Sequence, residues 1–123
     1  MKRGEVWLVS GGGDYTGKPR PAVILQDDAF DTSTSVTLCP LTSDKTDGAL
    51  VRIQITPKPI NGLKKVSWLM ADKITTTART KLSQRIGEID PDELLQLNQA
   101  VIVFLGLTNS TRPKAGAKAL ASK

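Results

Sequence analysis

The chain has 123 residues, with 17 basic and 12 acidic side chains and a formal net charge of +5. This length fits one domain with its own hydrophobic core. The sequence contains no histidine and a single cysteine, Cys39, which excludes a histidine-based catalytic triad, a zinc site and an internal disulfide. We therefore expect no metal ion or other cofactor, and a buried, structural role for the cysteine.

The basic residues are unevenly distributed along the chain. Residues 108–123 carry four of them and no acidic residue, whereas residues 1–107 carry 13 basic and 12 acidic side chains. The main part of the chain is therefore nearly neutral, and an anion-binding site there would depend on local clustering of charge. We predict a folded domain over residues 1–107, followed by a basic, disordered tail over residues 108–123.

The sequence shows no sign of export or membrane insertion. Met1-Lys2-Arg3-Gly4-Glu5 does not lead into the apolar segment of a signal peptide, and no apolar run is long enough to span a bilayer. A single cysteine also suits a reducing compartment. We expect a cytoplasmic protein with no membrane partner.

Short strands are predicted along most of the chain. Alternating and β-branched residues place them at residues 4–10, 20–26, 35–41, 50–55, 66–70 and 82–89. The second of these is apolar almost throughout, which indicates burial on both faces. In the third, Pro40 is expected to end regular pairing nearby. Asn61-Gly62, between the fourth and fifth strands, is the strongest short hairpin signal.

One helix is predicted after the last strand. Asp90 suits the N-cap, Pro91 suits the first helical position, and Glu93 completes a capping box. Gly106 fits the position just after the helix. The apolar stripe of this helix is broad for one sheet face, which suggests a dimer. Short strands with one C-terminal helix favour a small barrel or a strongly bent sheet.

A glycine-rich loop over residues 10–17 leads into the stretch Lys18-Pro19-Arg20-Pro21. The loop lacks the Lys-Ser/Thr ending of a P-loop, so we do not expect it to hold a nucleotide phosphate. Each proline biases the residue before it toward extended backbone, so Lys18 and Arg20 should be held at the start of a buried strand. A guanidinium held in this way is oriented for an anion, although a surface arginine at a strand start is the commoner case.

Four segments of the chain, in order, resemble the MazF/PemK family of toxin endoribonucleases over residues 2–107. They are Lys2-Arg3-Gly4-Glu5-Val6-Trp7, Gly17-Lys18-Pro19-Arg20-Pro21-Ala22-Val23-Ile24, Pro40-Leu41-Thr42-Ser43, and Asn61-Gly62-Leu63-Lys64-Lys65 with Ser67, followed by Asp72-Lys73-Ile74. The Arg-Pro segment alone is weakly specific, whereas four segments at fitting distances are strongly specific. The chain departs from many relatives at Lys73, where they have glutamine, and this leaves the cleavage sequence open.

The resemblance implies a mainly β fold: an SH3-like small barrel of six or seven strands with a C-terminal helix, similar to the gyrase poison CcdB. It implies a homodimer and a partner antitoxin protein. The implied function is that of a type II toxin–antitoxin toxin, which cleaves single-stranded RNA at specific sequences without a metal ion and inhibits translation and growth. The alternatives are a non-catalytic, CcdB-like gyrase poison and an inactive family member.

The catalytic arginine and threonine of the family match Arg20 and Thr42. Attack by the RNA 2′-hydroxyl, which leaves a 2′,3′-cyclic phosphate and a 5′-hydroxyl, needs charge stabilisation at phosphorus, and a guanidinium that holds two phosphate oxygens supplies it. The Thr42 hydroxyl can bind and orient the same phosphate. Lys18, Ser43 and Lys73 are the candidate RNA-binding residues.

Each catalytic candidate also has a structural interpretation. Arg20 could form a salt bridge with Asp27, Asp28 or Asp72. Thr42 could close a turn with its side chain, which is compatible with a phosphate contact.

The two tryptophans are candidate stacking platforms for RNA bases. For Trp7 we expect packing in the core. For Trp68 both interpretations stay open.

Overall fold

The computed structural model describes residues 1–10, 18–44 and 51–107. In these ranges the chain forms seven strands, three short 3₁₀ turns and one α-helix. The strands are β1 (Glu5–Val9), β2 (Arg20–Ile24), β3 (Ser35–Thr42), β4 (Arg52–Ile55), β5 (Ser67–Met70), β6 (Thr75–Ala78) and β7 (Leu82–Glu88), and the helix is α1 (Pro91–Leu105). Most of the glycine-rich loop and the basic tail, residues 11–17 and 108–123, lie outside the described residues.

The seven strands form one antiparallel sheet. Its order is β4-β5-β3-β2-β1-β7, and β6 pairs with β3 beside this path. The described strands β4 and β7 end the path without pairing to each other, so the sheet is not closed. The prediction of a mainly β fold with six or seven strands and a C-terminal helix is confirmed.

Strand β3 is the centre of the sheet and continues through Pro40. One edge of β3 pairs with β2, where Pro40 lies opposite Ala22. The other edge pairs with β6 as far as Leu38 and with β5 from Leu41. Pro40 therefore interrupts pairing on one edge only. It stands where β3 changes partner, the place at which a missing N–H disturbs the ladder least.

The core consists of two clusters on opposite faces of β2 and β3. Val23 and Cys39 belong to the larger cluster, while Ala22 and Leu38 belong to the smaller one. The predicted burial of the second strand on both faces is therefore confirmed. Cys39 is fully buried, and burial raises the pKa of its thiol to about 12. The thiol is thus inert at neutral pH and has the structural role predicted for it.

The helix begins and ends as its sequence predicts. Asp90 accepts a hydrogen bond from the Glu93 N–H at 2.8 Å, and the Glu93 carboxylate accepts one from the Asp90 N–H at 3.0 Å. Gly106 follows the helix with φ +69°. Leu97 anchors the helix in the core, but near its C-terminal end Val103 is 61 % exposed. No helix in the described part of the chain is long and apolar enough to cross a membrane.

A long connection, residues 56–66, joins β4 to β5, which pair as an antiparallel hairpin. Its turn is built on Asn61, which is fully buried. The Asn61 side chain accepts hydrogen bonds from the N–H groups of Lys58 and Leu63 and donates one to the Thr56 carbonyl. Gly62 follows with φ +69°. The Asn-Gly signal therefore predicted the hairpin, but the connection is longer than a two-residue turn.

Candidate active site

The register of the sheet brings Arg20 and Thr42 together. Ala22 of β2 lies opposite Pro40 of β3. Arg20 precedes Ala22 by two positions and Thr42 follows Pro40 by two, so the same antiparallel register places them opposite each other. Residues two apart on a strand point to the same face. Arg20 and Thr42 both line one cleft, with Arg20 exposed and Thr42 half-buried. Two segments that are 22 residues apart in sequence thus form one site.

The Thr42 side chain closes a turn at the end of β3. Its hydroxyl oxygen accepts a hydrogen bond from the Asp44 N–H at 3.1 Å. This is the turn interpretation considered for the residue. The bond uses an oxygen lone pair and does not consume the O–H donor, so Thr42 can still donate a hydrogen bond to a phosphate.

The cleft that contains Arg20 and Thr42 has a volume of about 330 Å³. Lys73 also lines it, as do the successive residues Thr75, Thr76 and Thr77. We call it the threonine cleft. Its described lining offers hydroxyl groups and two cationic side chains, so it can bind an anion and form hydrogen bonds with neutral polar groups.

A second cleft shares Arg20 and has a volume of about 490 Å³. Lys18 and Ser43 line it, together with Lys64 and Lys65 from the 56–66 connection. We call it the lysine cleft. The five predicted site residues are thus divided between two clefts that meet at Arg20, with Thr42 and Lys73 on one side and Lys18 and Ser43 on the other.

Each carboxylate considered as a salt-bridge partner of Arg20 accepts hydrogen bonds from another group. Asp27 accepts a hydrogen bond from the Ala29 N–H, and Asp28 accepts one from the Arg3 N–H at 2.7 Å. Asp72 accepts two hydrogen bonds from Arg52.

The Arg52–Asp72 pair supports the 3₁₀ turn Ala71–Lys73, which carries Lys73 into the threonine cleft. The side chain of Arg52 is 8 % exposed. Hydrogen bonds from this guanidinium lower the pKa of the Asp72 carboxyl below its ordinary value. The turn beside the site is therefore fixed by an ion pair that is charged at neutral pH.

The two tryptophans differ in their relation to the site. Trp7 packs against the smaller core cluster and donates a hydrogen bond from Nε1 to Glu5 at 2.9 Å, which confirms core packing. Trp68 lies directly opposite Thr42 in the β3–β5 pairing and is half-buried. Directly opposite residues of antiparallel strands share a face, so Trp68 is a neighbour of the candidate catalytic threonine.

Several residues of the two clefts were missed from the sequence. They are Lys64, Lys65 and Gln84 in the lysine cleft and the three threonines in the other. The adjacent lysines after an Asn-Gly turn were a usable signal, since a tight turn presents its flanking residues at the surface. Within the described ranges, no group of three or more His, Cys, Asp or Glu side chains could hold a metal ion.

The fold and the two clefts define a small antiparallel β protein with cationic and hydroxyl side chains converging on one arginine. A family model described as the PemK-like, MazF-like toxin of type II toxin–antitoxin systems matches residues 2–105. The chain belongs to this family.

Relatives with similar sequences match most of the chain. A protein of Mycolicibacterium smegmatis named "Probable endoribonuclease MazF" is 46 % identical over 107 residues, which cover 87 % of this chain and 98 % of the relative. The endoribonuclease MazF9 of Mycobacterium tuberculosis is 27 % identical, with the same coverage of both chains.

Solved structures share the fold at lower identity. A mycobacterial endoribonuclease in complex with its cognate antitoxin has a TM-score of 0.73 and 22 % identity, over 88 % of this chain and 97 % of that one. A MazE–MazF complex from Deinococcus radiodurans has a TM-score of 0.72 and 21 % identity, over 88 % and 98 % of the two chains. At these identities the likeness supports the fold.

Proposed function

We propose that this protein is the toxin of a type II toxin–antitoxin system and acts as an endoribonuclease on single-stranded RNA. The single observation that carries the proposal is the placement of Arg20 and Thr42 in one cleft of a protein that belongs to this toxin family. The relative that is 46 % identical bears the name of an endoribonuclease, which supports the same activity here.

The proposed reaction is attack by the RNA 2′-oxygen on the adjacent phosphorus, with breakage of the bond to the 5′-oxygen. Its products are a 2′,3′-cyclic phosphate and a 5′-hydroxyl. The Arg20 guanidinium binds two phosphate oxygens and stabilises the charge that develops on them. Thr42 donates a hydrogen bond to the same phosphate. Arginine is a poor base, so we assign Arg20 the electrostatic role and no proton transfer.

The remaining site residues are proposed to bind the RNA strand around that phosphate. Lys73 acts from the threonine cleft, and Lys18 and Ser43 act from the lysine cleft. The hydroxyls of Thr75 and Thr77 can both donate and accept hydrogen bonds, whereas the Thr76 hydroxyl is hydrogen-bonded to that of Thr37 at 2.7 Å. The Thr75 and Thr77 hydroxyls are suited to the edges of unpaired bases, which is how single-stranded RNA sequences are read.

We further propose a cytoplasmic homodimer that an antitoxin protein inhibits. The exposed apolar side chains near the end of α1 form a surface that a second subunit would cover. Solved complexes with antitoxins are known for relatives with this fold. The domain over residues 1–107 should carry the activity, and the basic tail should be dispensable for cleavage.

The test is digestion of a mixed-sequence, single-stranded RNA pool by the purified protein in EDTA. Fragments with 2′,3′-cyclic phosphate and 5′-hydroxyl ends are expected, and sequencing of their 5′ ends gives the cleavage sequence. Arg20→Ala should abolish cleavage. Arg85→Ala is the matched control, because Arg85 is an exposed arginine that lines neither described cleft.

Three results would contradict the proposal. One is an intact RNA pool, another is equal cleavage by Arg20→Ala and wild type, and the third is cleavage that requires a metal ion. An intact pool together with stalled gyrase would instead support the non-catalytic, CcdB-like alternative.

A further inference from the structure

Lys64 and Lys65 add positive charge to the lysine cleft. With Lys18 and Arg20 they make four cationic side chains in its described lining, which contains no acidic residue. The region 1–107 is nearly neutral as a whole, so this is the local clustering that an anion-binding surface requires. Both lysines are exposed, and their ammonium groups can therefore reach a ligand in the cleft.

The backbone that carries the two lysines is fixed on both sides. Before them, buried Asn61 makes three hydrogen bonds within the 56–66 connection. A Cβ atom on Gly62 would lie 2.1 Å from the Ile86 carbonyl oxygen, which shows how closely this turn packs on β7. After them, the Ser67 hydroxyl donates a hydrogen bond to the Lys65 carbonyl at 3.0 Å. The lysines are thus presented by a supported turn.

Part of the lining of the lysine cleft is apolar. Leu8, Leu63 and Ile86 line it, and all three are less exposed than Lys64 and Lys65. Its volume of about 490 Å³ falls within the range of roughly 300–1,000 Å³ that is usual for ligand pockets. Cationic and apolar side chains in one cleft match a nucleotide unit, which joins an anionic phosphate to a base with flat, apolar faces.

We propose that Lys64 and Lys65 bind a backbone phosphate of single-stranded RNA, next to the phosphate that Arg20 holds. This inference rests on the proposed function, because it takes RNA as the ligand. Arg20 lies in both clefts, so an RNA strand held at Arg20 can extend directly into the lysine cleft. The lysine pair contributes affinity for the strand and does not take part in the bond cleavage.

The test compares two double variants that each remove two positive charges. K64Q/K65Q removes the proposed contacts. K2Q/K81Q is the matched control, because Lys2 and Lys81 are exposed and line neither described cleft. The probe is a fluorescent 2′-O-methyl RNA of mixed sequence, whose blocked 2′-oxygen cannot attack the phosphorus.

K64Q/K65Q should weaken RNA binding about 10-fold at near-physiological salt. The slope of log affinity against log salt concentration should also become shallower, by about 0.7 for each phosphate that the protein no longer neutralises. K2Q/K81Q should bind as wild type does. With cleavable RNA, K64Q/K65Q should raise KM and leave kcat unchanged, because an interaction outside the reacting atoms acts equally on substrate and transition state. K64R/K65R, which keeps both charges, should retain wild-type affinity.

The outcomes separate this inference from the function on which it rests. If wild type neither binds nor cuts RNA, both proposals fail. If wild type binds and cuts while K64Q/K65Q matches K2Q/K81Q in affinity and salt slope, the lysine subsite is wrong and the proposed nuclease stands. A fall in kcat without a rise in KM would also contradict the subsite.

Discussion

Asp72 accepts hydrogen bonds from Nε of Arg52 at 2.7 Å and from Nη2 at 3.0 Å, so the carboxylate and the guanidinium form a two-bond pair. The pair joins β4 to the turn between β5 and β6. Removing one partner of a poorly exposed ion pair leaves the other charge without its hydrogen bonds. The pair should therefore contribute both to stability and to the position of Lys73.

Replacing the acid tests this contribution. Asp72→Asn should lower the free energy of unfolding by about 1–3 kcal/mol at pH 7, measured by urea denaturation. Asp92→Asn is the control, since Asp92 is exposed in the first turn of α1 and should cost no more than about 1 kcal/mol. Equal free energies of unfolding for the two variants would mean that the Arg52–Asp72 pair does not stabilise the folded protein.

The same pair predicts how stability depends on pH. The pKa of Asp72 is lowered in the folded protein, chiefly by hydrogen bonds from Arg52. A depressed carboxyl pKa gives stability that is present above the unfolded value of about 3.9 and is lost as the pH falls through the folded value. The difference in stability between wild type and Asp72→Asn should hold from pH 7 to pH 5 and shrink below pH 4. A difference independent of pH down to pH 2 would contradict the assignment.

Two glycines with positive φ allow a matched test of the 56–66 connection. Gly4 has φ +91° and Gly62 has φ +69°, so alanine is strained at both. A Cβ on Gly4 meets Leu94 at 3.5 Å, an ordinary contact, whereas a Cβ on Gly62 meets the Ile86 carbonyl oxygen at 2.1 Å.

Gly4→Ala should therefore lower the free energy of unfolding by about 1–2 kcal/mol, the energy of the backbone strain alone. Gly62→Ala should lower the free energy of unfolding by about 1–3 kcal/mol more than Gly4→Ala does, because the Ile86 backbone must move. Thermal unfolding of both variants measures the difference. Equal losses would show that the connection relaxes freely, and would weaken the case for a fixed Lys64–Lys65 pair.

Local signals predicted the parts of this fold that local chemistry determines. The start of α1 follows from Asp90, Pro91 and Glu93, because a capping box needs only residues within one turn of each other. The positions of six strands followed from alternating or β-branched residues, whereas β6 has no apolar alternation and was not predicted. These features do not depend on which strands become neighbours.

The arrangement of the site depends on long-range pairing, which a single sequence does not specify. Pro40 was expected to end pairing, and only the change of partner from β6 to β5 explains why the strand continues through it. The position of Trp68 opposite Thr42 and the division of the site residues between two clefts follow from the same pairing. The resemblance to a family supplied Arg20 and Thr42, but not Lys64 and Lys65 as part of the site.

The apolar end of α1 predicts the assembly state. Phe104 and Val103 are 48 % and 61 % exposed in the isolated subunit, which is unfavourable unless another surface covers them. Phe104→Glu should convert a dimer to a monomer in sedimentation velocity. Thr80→Glu, at an exposed polar position outside the helix, should leave the dimer intact. A wild-type protein that sediments as a monomer would contradict the proposed homodimer.

Thr42 closes a turn with its side chain and, in the proposed reaction, donates a hydrogen bond to the phosphate. Two substitutions separate these roles. Thr42→Ser keeps the hydroxyl and should retain cleavage to within a few-fold. Thr42→Val keeps the shape but removes the O–H, and should lower kcat by about 10²-fold, the usual loss for one donor to a developing oxyanion. Because valine also removes the acceptor for the Asp44 N–H, unfolding is measured in parallel. If Thr42→Val loses stability but keeps the wild-type kcat at a temperature where it is folded, Thr42 is a turn residue and has no part in the chemistry.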